Sequence, residues 1–354
     1  MPGLVRILSG GSGPSAGGRI SNPPAGCQPA LLRTYTEAVI SRRQVLAGAA
    51  AAALAARARA KAPQPVTPVR FDVPAHACDC HTHMIGDPRR FPFFAGRTYT
   101  PEPAPPEEMA ALHRALHVER VVIVTPSVYG TDNSATLYGM KARGATARGV
   151  AVIGEKTPER DLETMDRAGV RGIRLNLSVG GHNDPAAARK RFQEAGKLLK
   201  RPGWHIQIFT NLAVIAAIRP LVLDSAVPVV FDHFGGLQAR LGLEQPGFAD
   251  LVELVRSGKA YVKISGAYRC STAGPDYADM APFARALIAA NAGRVLWGTD
   301  WPHPDNTSGR PVTELTPMLP IDDGRLMNQL AVWAPEAAVR ARILVENPAK
   351  LYGF

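Results

Sequence analysis

Strand-length apolar runs recur eight times along this 354-residue chain, with amphipathic stretches of helix length between them. That alternation constrains the fold more than any other feature. Two adjacent parallel strands need a long crossover, and a helix is the usual one. Strands are expected near residues 77–83, 119–125, 150–154, 170–176, 204–209, 227–232, 260–265 and 294–299. Helical patterning covers residues 106–117, 159–168, 186–200, 211–224, 247–257, 279–292 and 324–346. Several of these stop at a glycine just before the next strand, as in Ala168-Gly169-Val170 and Ser257-Gly258-Lys259. The pattern predicts an α/β chain closed as a (β/α)8 TIM barrel over residues 76–354, with no second folded domain.

In such a barrel the C-terminal ends of the strands carry the chemistry. The first strand ends in Asp79-Cys80-His81-Thr82-His83. The last runs into Trp297-Gly298-Thr299-Asp300-Trp301-Pro302-His303-Pro304. Closing the ring brings these distant segments to one pocket. His81 and His83 lie two apart on a strand and so share a face, with Asp79 one step deeper. Asp300 is placed to take a proton from water and return it to a leaving group. The structural alternatives are hydrogen-bonded core histidines and, for Asp300, a helix cap or an arginine partner. His233 ends the sixth strand, and Gly235 and Gly236 behind it would let backbone and ligand approach closely. Asp232 points away by strand parity and reads as structural. Arg174 faces inward on strand four and needs an anion, either a substrate carboxylate or Asp79. Arg269, on the loop after strand seven, is a carboxylate clamp or a solvated side chain. Tyr99, Ser127, Gln207 and His303 complete the set of substrate-binding candidates. His113 and His117 share a helix face and read as surface residues.

His81, His83, His233 and Asp300 could act with or without a metal, since a stable site typically needs four ligands. The ends of strands four and five hold Arg174, Asn176 and Gln207 instead of further ligands, and an arginine there repels a divalent ion. The favoured reading has no cofactor. The histidines polarise a carbonyl by hydrogen bonds while Asp300 activates water. A divalent metal such as zinc, held by His81, His83 and Asp300, is the alternative.

The formal net charge of +11 is uneven. Residues 1–60 contain seven arginines and one acid, Glu37, so +5 is left for the rest of the chain. Without a basic stripe interleaved with aromatics, nucleic acid is not an expected partner. Ser41-Arg42-Arg43-Gln44-Val45-Leu46 opens an Ala-rich apolar run of about 13 residues, too short to span a bilayer. Ala58-Arg59-Ala60 follows as a cleavage-type end. This reads as a twin-arginine signal peptide, with the export machinery as partner and a periplasmic or exported destination. No stable membrane anchor is expected. Residues 61–75, with four prolines, read as an extended linker. Cys78, Cys80 and Cys270 form no disulfide framework and are expected as buried thiols.

The two end motifs are joined by Arg97-Thr98-Tyr99-Thr100-Pro101, Tyr129-Gly130-Thr131-Asp132-Asn133, Gly169-Val170-Arg171-Gly172-Ile173-Arg174, Asp232-His233-Phe234-Gly235 and the tail Glu346-Asn347-Pro348-Ala349-Lys350-Leu351-Tyr352. Together these resemble the amidohydrolase-related lactonases, a family that includes pyrone dicarboxylate lactonases, galactarolactone isomerases and sugar lactonases. The resemblance covers residues 76–354. It implies metal-independent opening of a small anionic lactone, with Asp300 as base on water and His81, His83 and His233 on the carbonyl. It also implies that Tyr99, Ser127, Arg174 and Arg269 hold substrate carboxylates or hydroxyls. Two places depart from the dicarboxylate members. The stretch Asn176-Leu177-Ser178-Val179-Gly180-Gly181 lacks their further arginine, and strand five ends Gln207-Ile208-Phe209. A sugar-acid lactone or another monoanionic cyclic ester therefore fits as well as a pyrone dicarboxylate. The competing readings are a metal-dependent hydrolase or decarboxylase, a lactone isomerase, and an exported binding protein without turnover.

Overall fold

The computed structural model of the chain describes residues 62–177, 184–199, 201–307 and 309–354. Eight parallel strands follow one another in chain order. They are β1 (Cys78–Thr82), β2 (Arg120–Val124), β3 (Ala147–Ala151), β4 (Val170–Asn176), β5 (His205–Phe209), β6 (Val229–Phe231), β7 (Ala260–Ser265) and β8 (Val295–Gly298). Their residues are almost all buried, because one face fills the barrel and the other lies under helices. The main crossover helices are α1 (Pro106–Ala115), α2 (Ser134–Arg143), α3 (Glu159–Arg167), α4 (Pro185–Leu198), α5 (Leu212–Leu223), α6 (Phe248–Arg256) and α7 (Ala281–Asn291). Then comes α8 (Asp323–Trp333), after the last strand. The expected TIM barrel is the fold observed.

The ring closes where the two end motifs meet. His83 N donates to Trp301 O and Asp300 N donates to His81 O, each at 2.8 Å, so the segments continue the strand pairing beyond β8. Asp79 fastens this seam from within. Its carboxylate accepts the N–H groups of His81 and Thr299 at 3.0 Å and the Thr299 hydroxyl at 2.6 Å. His113 on α1 completes its shell at 3.2 Å. His113 is therefore a buried partner, not the surface residue its helix position suggested, whereas His117 is exposed. Asp79, spent on the seam, is not the anion facing Arg174.

Three sequence expectations shift. The third strand begins three residues earlier than its apolar run, because Ala147 and Gly149 are too small to register as hydrophobic. It also ends earlier, at Ala151, three residues short of the expected end. Helix α2 has no counterpart in the expected pattern. Its buried face is Ala135, Thr136, Gly139 and Met140, a faint stripe. A side chain at Gly139 would press on Ile123 and Met84 at 3.1 Å, so the small face permits close packing on β2. The long helix expected over 324–346 breaks after Trp333, where Pro335 has no N–H to continue the ladder.

The described part of the proline-rich segment is extended but not free. Ala62 N reaches Glu108 at 2.8 Å, Arg70 N reaches Asn328 at 2.7 Å, and Pro63 O accepts the Trp301 indole N–H at 2.9 Å. It straps α1, α8 and the loop after β8 together. Cys78, Cys80 and Cys270 are buried free thiols, as expected. Residues 1–61, including Arg42 and Arg43 and the expected signal peptide, lie outside the described residues. Among the described residues no helix is long and apolar enough to cross a membrane.

Candidate active site

Three imidazoles converge on one carboxylate oxygen. The Nε2 atoms of His81, His83 and His233 stand 3.6, 3.5 and 3.7 Å from Asp300 Oδ1. His81 is on β1 and His83 one residue beyond it. His233 and Asp300 each lie two residues past their strands, in backbone with φ of 47° and 68°. Those positive φ values turn both side chains inward over the barrel mouth. The glycines behind His233 serve backbone packing instead of ligand approach. A side chain at Gly236, where φ is 69°, would meet Thr210 O at 2.1 Å.

The second oxygen of Asp300 is fully engaged. The Tyr268 hydroxyl donates to Oδ2 at 2.7 Å, and so does Arg269 Nε. Burial pushes the Asp300 carboxyl up. The Arg269 guanidinium, then His233, His83 and His81, outweigh it and hold Asp300 well below the usual carboxylate range. Burial pushes His233 down to about 4 against the opposing pull of Asp300. Burial also sets His81 well below the imidazole range, with Asp232 opposing and Lys263 adding to it. His81 and His233 are thus neutral at neutral pH. His83 Nδ1 lies 2.8 Å from Val124 O, which can only accept, so Nδ1 carries a proton and Nε2 faces Asp300.

Beneath this cluster is a second layer that strand parity did not reveal. Asp232 faces inward, not away. The chain leaves β6 at Phe231 and turns at once into a 3-10 turn, which breaks the alternation. Its carboxylate stands 3.1 Å from His81 Nδ1, 3.3 Å from Lys263 Nζ and 3.8 Å from Arg174 Nε. Gln207 lies in this layer too. Its amide donates to Asp232 at 3.0 Å and its carbonyl accepts from Lys263 at 2.6 Å, and the side chain is fully buried. His303 is likewise fully buried behind the wall, between the Tyr268 hydroxyl at 3.2 Å and Asp323 at 2.9 Å. Gln207 and His303 therefore support other residues and do not line the cavity. The signal for Lys263 was a charged residue inside the apolar run Ala260-Tyr261-Val262-Lys263-Ile264. Tyr268 had no comparable signal, being one of several polar residues on a loop.

The remaining expected residues do meet. A cavity of about 20 Å³, room for about one water, is walled by His83, Tyr99, Ser127, Arg174, Phe209, His233, Arg269, Asn306 and Asp300, among others. Tyr99 hydrogen-bonds to Ser127. The Arg174 guanidinium stands 5.6 Å from the Phe209 ring centre, and one of its nitrogens donates to Thr125 O at 3.3 Å. Arg174 and Arg269 thus approach one small chamber from opposite sides, neither with a bidentate protein partner.

A metal fits this cluster by spacing but not by charge. His81, His83 and Asp300, or His81, Asp232 and His233, bring their ligand atoms within 4.8 Å of one another. Yet two carboxylates already face three cations, Lys263, Arg174 and Arg269. A divalent ion would add two more positive charges to a buried site with a net positive balance and no further anion to offset them.

A family model described as amidohydrolase matches residues 78–354, from β1 to the C-terminal residue. The chain is an amidohydrolase. A 4-sulfomuconolactone hydrolase of Hydrogenophaga intermedia is 34% identical over 291 residues, covering 81% of this chain and 92% of the relative. A 2-pyrone-4,6-dicarboxylate hydrolase of Comamonas testosteroni is 33% identical over 292 residues, covering 80% and 92%. Among solved structures, an Agrobacterium tumefaciens protein in its apo form superposes with a TM-score of 0.66 at 28% identity, covering 83% of this chain and 99% of that one. The amidohydrolase match thus takes in both strand-end motifs and every residue of the pocket wall.

Proposed function

We propose that this amidohydrolase opens a small lactone bearing an anionic group, without a metal. The observation that carries the reading is the convergence of three imidazoles on Asp300 Oδ1, beside two guanidiniums, at one small cavity in the barrel mouth. Lactone hydrolases among the relatives support the same chemistry. Arg174 and Arg269 hold the substrate anion, and Tyr99 and Ser127 hydrogen-bond to its ring substituents. Asp300 Oδ1 and the His83 Nε2 lone pair are both acceptors on one side of the chamber, suited to take the two hydrogens of a water. That water adds to the ester carbonyl while Asp300 takes its proton. The C–O bond of the ring then breaks, and the departing alkoxide receives the proton, giving a hydroxy acid. His81 and His233 stabilise the oxyanion. An anion that draws Arg269 toward itself also relieves Asp300 of its strongest counter-charge, so substrate binding makes the base stronger.

The test is a panel of carboxylated γ- and δ-lactones followed by proton release, before and after exhaustive chelation. The expected result is turnover that chelation leaves unchanged. Turnover lost on chelation and restored by zinc overturns the metal-independent part, and no turnover of any lactone overturns the reading.

We also propose that the chain is exported by the twin-arginine route, on the strength of Arg42-Arg43 and the apolar run after them. Arg42→Lys/Arg43→Lys is expected to leave the protein in the cytoplasmic fraction. Unchanged fractionation overturns export by that route.

A further inference from the structure

Lys263 is fully buried at the centre of the second layer, with Asp232 and Gln207, and the chemistry above does not use it. The ammonium has three hydrogens and no lone pair, so every polar neighbour in contact must accept from it. Two acceptors meet hydrogen-bond geometry, Gln207 Oε1 at 2.6 Å and His81 Nδ1 at 3.2 Å, and Asp232 Oδ1 stands 3.3 Å away as an ion-pair partner. The Gln207 amide is oriented by its own donation to Asp232 Oδ2, which leaves its oxygen facing Lys263. Asp232 Oδ1 also lies 3.1 Å from His81 Nδ1. The geometry makes no hydrogen bond between His81 and Asp232 Oδ1, whereas the Lys263–His81 pair does meet hydrogen-bond geometry.

We propose that Lys263 fixes the tautomer of His81, donating to Nδ1 so that the ring proton sits on Nε2 and faces the reaction chamber. This inference rests on the lactonase reading and assigns roles within it. His81 Nε2 is buried with no hydrogen-bond partner in the protein and aims at the space beside Asp300 Oδ1. With its proton there, it is a donor for the carbonyl oxygen of a cyclic ester. His83, protonated on Nδ1 by its bond to Val124 O, shows the opposite face, a lone pair suited to a water hydrogen. The two histidines of the His-x-His pair are therefore unlike. His81 is the electrophilic donor, His83 helps to hold the nucleophile, and Lys263 is the positioning residue that makes them differ. The arrangement also leaves His81 no lone pair on Nε2 for a metal.

The deciding experiment is long-range ¹H–¹⁵N correlation of the histidine rings in the full-length wild-type protein near pH 7, with His81 assigned by the loss of its signals in His81→Asn. The expected pattern has His81 protonated at Nε2 and His83 protonated at Nδ1. His81 protonated at Nδ1 overturns the proposal whether or not the protein hydrolyses lactones. An Nε2-protonated His81 in a protein that turns over no lactone keeps the tautomer assignment and sinks only the functional reading. Lys263→Met, in whatever fraction folds, is expected to move the His81 proton to Nδ1 toward Asp232. It should lower kcat roughly 10²-fold, the usual cost of one oxyanion donor, with KM little changed. A folded Lys263→Met protein whose His81 stays protonated at Nε2 also overturns it.

Discussion

Asp300→Asn is expected to lower kcat roughly 10²- to 10⁴-fold, the range for loss of a positioned general base. The asparagine keeps the volume and can still accept from Tyr268 and Arg269, so the pocket should retain its shape and KM should move far less than kcat. Its amide cannot take a proton from water, and an N–H in place of Oδ1 would face the His83 lone pair instead of sharing a water with it. Steady-state rates on the best lactone, with circular dichroism to confirm folding, decide the point. A variant within a few-fold of the wild type would move the base role to the remaining free acceptor, His83 Nε2.

Acidification from pH 6.5 to 4 is expected to remove on the order of 6 kcal/mol of stability, read as a fall in Tm of 10 °C or more. The sign follows from two histidines that fold in the neutral form. Burial pushes His233 down to about 4 and His205, in the barrel beside Tyr352, down to about 3. In the unfolded chain each takes a proton near 6.5. As pH falls through that value the unfolded state binds protons that the native state refuses, which costs about 3 kcal/mol per histidine by pH 4. His81 adds in the same direction. Asp232 and Asp300 are held well below the usual carboxylate range, burial notwithstanding, by Lys263 and Arg269 respectively. Their contribution is intact above pH 4 and begins to fall away only below it. Asp323, raised by burial, works in the opposite sense. Thermal unfolding across the window checks the slope. His205→Leu should flatten it by about half without touching the chamber, and an unchanged slope in that variant would show that other groups set the acid sensitivity.

The barrel was readable because its signals are local. Strand-length apolar runs, helical spacing and a glycine at a helix end depend on neighbours a few residues away. The misread pieces are those where size replaced hydropathy as the packing variable. Ala147 and Gly149 hid the start of β3, and Ala135, Thr136 and Gly139 hid α2. Most of the central cluster was also visible, since His81, His83, Arg174, His233 and Asp300 sit at or just past strand ends that the barrel turns to one face. Tyr99, Ser127 and Arg269 were weaker candidates that the family resemblance reinforced, and the structure brings them to the same chamber.

Sequence alone determined the (β/α)8 architecture, the meeting of the two end motifs and the identity of the histidines and aspartate at the centre. Strand periodicity and ring closure leave those residues no other destination. Only the tertiary structure decided which groups back them. Past the last ladder hydrogen bond the backbone abandons the period of two, and residues such as Asp232, Tyr268 and His303 take directions set by loop turns and buried partners. So Asp232 lies beneath His81, Gln207 and His303 stand behind the wall, and Lys263 is in hydrogen-bond reach of a histidine 182 residues away. Such pairings are fixed by the need to satisfy buried charges across the barrel, and no local pattern records them.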